Sequence, residues 1–111
     1  MEMIYAMSQE HLVGKFVNRS VGSDCYPVGK VIATFGKTGI IIQPWKASND
    51  PTWKPDIIPG GYAGYCTNNH DQRWAYSEIE DAEPVRMRVN KKFCRWHWIG
   101  DQPHRHYDYN F

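Results

Sequence analysis

The strongest constraint in this chain is a hairpin near its middle. Residues 28–35 read Val-Gly-Lys-Val-Ile-Ala-Thr-Phe, residues 36–39 read Gly-Lys-Thr-Gly, and residues 40–43 return as Ile-Ile-Ile-Gln. β-Branched and aromatic side chains pack well on a pleated surface. A short linker with glycine at both ends, set between two such runs, predicts a hairpin loop. Consecutive isoleucines at 40–42 leave no polar face. The returning strand is therefore expected to be covered on both faces or to cross the centre of a barrel.

Other segments extend the pattern. Residues 12–17, Leu-Val-Gly-Lys-Phe-Val, are apolar with one charge, and residues 18–27 are rich in turn formers. They predict a strand followed by a polar loop. Residues 73–76 predict a short strand. At 85–89 the sequence alternates Val-Arg-Met-Arg-Val, placing the apolar residues inward and Arg86 and Arg88 outward. After a turn at 90–92, residues 93–99 predict a last strand. The flanks are an N-terminal segment at 1–11, where Ser8 can cap a helical turn, and a polar-aromatic tail at 100–111. With 111 residues, the chain is expected to form one domain over 1–111. The expected fold is mainly β, a small barrel or rolled antiparallel sheet of about five to six strands.

Residues 44–72 break the pattern. Pro44, Pro51, Pro55 and Pro59 are joined there by Gly60, Gly61 and Gly64, with no sustained periodicity. A loop this long inside a compact domain usually has a function. Trp45, Trp53, Tyr62 and Tyr65 lie within it. The chain holds five Trp, seven Tyr and four Phe, so the same stock of rings must supply both a core and any recognition surface.

The order of elements over residues 12–45 (strand, polar loop, tight hairpin) resembles the opening of Src-homology-type, Tudor and KOW small barrels. That resemblance implies an SH3-like barrel that binds peptides, modified side chains or nucleic acids through aromatic loops. In size and style the chain is also similar to the small accessory proteins of tailed bacteriophages. Fold alone does not set function.

Composition excludes several classes. A net charge of +1 provides no global field for nucleic acid or anionic lipid. No run of about 18 apolar residues exists to span a membrane. The start at residues 1–7 lacks the basic and apolar regions of a secretory leader. Cys25, Cys66 and Cys94 are too few, and odd in number, for a disulfide framework, which suggests reduced thiols in the cytoplasm. Gly36-Lys37-Thr38-Gly39 lacks the spacing of a phosphate loop, and no Gly-x-Ser-x-Gly elbow occurs. The expectation is a binding protein, not an enzyme, with no catalytic residue assigned.

Two surfaces compete for that binding role. The first is the loop, where Trp45, Trp53, Tyr62 and Tyr65 on a proline-stiffened backbone would engage or inhibit a protein partner. The alternative is nucleic acid, held by Arg86, Arg88, Lys91, Lys92 and Arg95 with Trp96 and Trp98 following. Glu78, Glu80, Asp81 and Glu83 precede this basic segment and would neutralise it if the two paired across a hairpin. No cofactor is expected. A structural zinc held by Cys66, His70, Cys94 and His97 is the one alternative, and on a regular strand His97 would face away from Cys94. His104 and His106 could share a face in an extended tail, without a third ligand nearby.

Overall fold

The computed structural model describes residues 9–60 and 64–110. The predicted hairpin dominates it. Strand β2 (Asp24–Phe35) and strand β3 (Gly39–Asn49) pair antiparallel, with Phe35 opposite Gly39, Thr34 opposite Ile40 and Val31 opposite Ile42. A register shift between Val31 and Ala33 pushes Ile32 outward, where it is 46% exposed. Alternation resolves the isoleucine run. Ile40 and Ile42 are fully buried, while Ile41 is half-buried and points to the opposite face.

Strand β1 (Phe16–Val21) pairs with the first half of β2 through a turn at Gly22, whose φ of +59° suits glycine. The strand runs through residues that the sequence suggested were loop. Inside the segment predicted as a long loop, 44–72, lie β4 (Ile57–Ile58) and β5 (Tyr65–Cys66), and beyond it β6 (Trp74–Glu78) and β7 (Val85–Arg88). The helix α1 (Lys91–Trp96) and strand β8 (His97–Gly100) complete the order. The main sheet has six strands, ordered β6-β3-β2-β1-β8, with β7 also on β3. β4 and β5 form a separate two-stranded sheet.

The mainly β expectation holds, but the sheet does not close into a barrel. The segment predicted as a last strand is the reason. Asn90 caps a helix instead, its Oδ1 accepting from the Phe93 N–H at 2.9 Å. The helix drives Phe93 into a core built from Val17, Val31, Ile40, Ile42 and Val89, with Met87 and Ile99 packed against it. Only residues from 97 onward remain to pair, and they pair with β1.

Trp45 belongs to β3 and not to the loop, because β3 continues to Asn49 and pairs there with β6. β6 and β7 both lie against β3 and not against each other, so Glu78, Glu80, Asp81 and Glu83 do not form a ladder with Arg86 and Arg88.

The tail is tied down from Gln102 to Asn110. Asn18 donates to the Gln102 carbonyl at 3.2 Å and accepts from the His104 N–H at 2.8 Å. His106 bridges Cys25 with two backbone bonds of 3.0 Å. The Arg105 N–H donates to the Tyr76 hydroxyl at 2.8 Å, and its guanidinium lies over Trp74 at 5.1 Å. Gln72 clasps Tyr107 by accepting from its N–H and donating to its carbonyl. Asn110 pairs with both backbone groups of Cys66, at 2.7 and 3.1 Å. Among the described residues no helix is long and apolar enough to cross a membrane.

Candidate nucleic-acid interface

The register of the sheet edge assembles a basic cavity of about 350 Å³. Arg86 and Arg88 enter from β7, where they lie opposite Ile41 and Gly39 on one face of the sheet. Both guanidinium groups sit over the Phe35 ring, at 5.0 and 5.1 Å from its centroid. Both cations thus make a cation–π contact with the same ring. Lys92 and Trp96 come from α1, which the Asn90 cap starts directly after β7. Met87 and Phe93 provide the apolar part of the wall.

Two further residues come from far away in sequence. Arg19 on β1 pairs with His97 on β8, so both face the cavity beside α1. The His97 ring stacks on Phe93 at 4.8 Å, with Nδ1 at 3.1 Å from the Phe93 carbonyl and Nε2 at 3.4 Å from Arg19 Nη1. With the proton assigned to Nδ1, the ring donates to the carbonyl and accepts from Arg19. Burial holds the His97 pKa below its usual value; the Phe93 carbonyl works against this, and the Arg19 charge adds to it. The fold therefore favours neutral His97. Its contribution to stability is complete above the unfolded-state value of about 6.5 and declines as pH falls through the lower folded value. Urea titrations between pH 7.5 and 5 should lose less stability for His97→Gln than for the parent. Equal losses would remove His97 from that role.

Among the described residues no carboxylate lines the cavity. Among the described residues the ion pairs are Lys15–Asp101 and His70–Asp71, both elsewhere. Arg19, Arg86, Arg88, Lys91, Lys92 and Arg95 thus have no acidic partner there. Of the basic segment, Arg86, Arg88, Lys92 and Trp96 converge on the cavity. Lys91 and Arg95 are exposed on α1 without lining it. Trp98 sits across β1 from Asn18 and packs beside His104. Arg19 and His97 were not assigned to this surface by sequence. Arg19 lies in the stretch 18–27 whose composition predicts a loop, and nothing in one sequence signals a pairing between residues 19 and 97.

The loop rings find different surroundings. Trp45 meets Phe16 edge-on at 4.9 Å, and its indole nitrogen is buried with no hydrogen-bond partner among the described residues. Trp53 packs on Tyr109 of the tail at 5.7 Å, its nitrogen likewise buried and unpaired. Tyr65 is 54% exposed next to exposed Ile57 and Ile58. Tyr62 lies outside the described residues.

Cys66, His70, Cys94 and His97 are not brought together. Cys66 is buried with its thiol on Asn68, and exposed His70 pairs with Asp71. Cys94 is exposed on α1, while His97 turns to Phe93 and Arg19. Among the described residues no three His, Cys, Asp or Glu side chains are grouped to hold a metal ion. His104 and His106 are fixed by Asn18 and Cys25 through their backbones.

No family model, curated protein or solved structure matches this chain.

Proposed function

We propose that this chain is a non-enzymatic nucleic-acid-binding module whose basic sheet edge holds a phosphate backbone. The observation that carries the reading is the convergence of Arg19, Arg86, Arg88 and Lys92 on one cavity that no carboxylate lines among the described residues. Such cations release condensed counterions when they meet phosphates, which is the main source of sequence-independent affinity. A net charge of +1 does not oppose this, since the charge is concentrated locally. Cys25, Cys66 and Cys94 carry free thiols, which supports a reducing, cytoplasmic setting.

Fluorescence anisotropy with a labelled oligonucleotide tests the reading. Four phosphate contacts to a single strand give a slope of log affinity against log salt of about −3. The double variant Arg86→Glu, Arg88→Glu should bind more than about 100-fold more weakly at low salt while keeping its circular dichroism spectrum. Unchanged affinity would end the assignment.

A protein partner is the second reading, supported by Ile57, Ile58 and Tyr65, which are all about half-exposed on the β4–β5 sheet. Such an interface would weaken little with salt.

A further inference from the structure

We propose that the basic cavity receives one unpaired nucleotide, so that the chain selects single-stranded nucleic acid over duplex. This inference rests on the reading of the cavity as a phosphate-binding edge. It adds the class of nucleic acid.

Arg86, Arg88 and Lys92 are exposed, whereas Phe93 is almost fully buried and Met87 half-buried. His97 stacks on Phe93 and covers its face, so the ring the cavity presents beside its cations is Trp96. A duplex offers a protein its phosphates on the outside and keeps its base faces stacked inside. It would touch the cations and leave Trp96 without a partner. An unpaired nucleotide offers both groups at once: a phosphate for the cations and a flat face for Trp96.

Size agrees with that choice. About 350 Å³ lies near the lower end of the range for small-molecule sites, roughly 300–1,000 Å³. That volume suits a ligand of about one nucleotide. Trp96 lines the same cavity and is 46% exposed, unusual for so large a ring in a chain whose other indoles are mostly drawn inward. A ring in that position is a stacking platform, and base–aromatic stacking does not depend on sequence.

Asn90 adds a directional contact. Its Oδ1 is committed to the Phe93 N–H, and its Nδ2 has no partner among the described residues. That amide is a free donor at the cavity wall, suited to an acceptor on a base edge. The helix cap thus orients a recognition group as well as starting α1.

The test compares three labelled ligands of equal phosphate number by anisotropy: a single-stranded DNA 12-mer, the same backbone without bases, and a duplex. The single strand should bind at least about 10-fold more tightly than either of the others, as expected for stacking of one base. Trp96→Ala should bring the single strand to the abasic affinity. Trp96→Phe should restore most of the difference, which separates stacking from loss of fold. If all three ligands bind within twofold and Arg86→Glu, Arg88→Glu abolishes them, phosphate binding stands and the single-strand inference falls. If none binds, both fall. Equal binding of poly-glutamate at matched charge also overturns the inference, since it would mark an acidic protein as the fitting partner.

Discussion

Gly29→Ala is expected to lower unfolding stability by about 3 kcal/mol, the upper end of the usual cost of overpacking. Gly29 lies between Val17 of β1 and Pro44 of β3, where three strands meet. A Cβ atom there would fall 2.1 Å from the Gln43 carbonyl oxygen and 2.6 Å from Ile42 Cγ2. The oxygen is backbone, so no rotamer change relieves the contact. β2 and β3 would have to separate at the centre of the hairpin, and the packing of Ile42 would go with them. A urea titration should show a lower midpoint with an unchanged slope. Ile32→Ala, at an exposed position on the same strand, should cost less than about 1 kcal/mol. If Gly29→Ala matches the parent, the strands do not cross at this register.

Asn18→Ala is expected to cost about 2–4 kcal/mol and to release the start of the tail. Asn18 is fully buried, and its amide supplies the partners of the Gln102 carbonyl and the His104 N–H. Removing it leaves two backbone groups without a bond, at about 1–3 kcal/mol for each buried group. Asn18→Asp separates the two contacts. It keeps the acceptor for His104 but places a second acceptor against the Gln102 carbonyl, so it should destabilise while keeping the His104 amide protected. Hydrogen exchange reads the difference directly, with fast exchange at His104 in Asn18→Ala and slow exchange in Asn18→Asp. Slow exchange in both variants would show that the tail docks without Asn18.

These two positions mark where a reading of the chain succeeds and where it stops. The hairpin at β2 and β3 was legible because β-branched runs around a glycine-flanked turn make strong local signals. Alternation in β7 was legible for the same reason, with Met87 turned inward and Arg86 and Arg88 outward, but Val85, expected inward, is 41% exposed at the start of the strand. The helix α1 was missed because Phe93-Cys94-Arg95-Trp96 also suits a strand by composition. The deciding interaction is one side-chain bond, from the Phe93 N–H to Asn90.

Part of the candidate site was legible as well. The cations of residues 86–95 were visible as a cluster, and Trp96 as its nearest ring. Their freedom from Glu78, Glu80, Asp81 and Glu83 depends on β6 and β7 pairing with β3 at successive positions. The loop rings were visible too, but Trp45 and Trp53 have turned to Phe16 and Tyr109.

Local chemistry wrote the strands into this chain: branched side chains, turn glycines and a two-residue period act over neighbours and need no fold to be read. Long-range pairing made the site and fixed the tail. Arg19 meets His97, Asn18 meets His104, and Asn110 meets Cys66 only after the sheet has set its register. Such contacts depend on which backbone and side-chain groups folding leaves to be satisfied, and that is a property of the assembled structure.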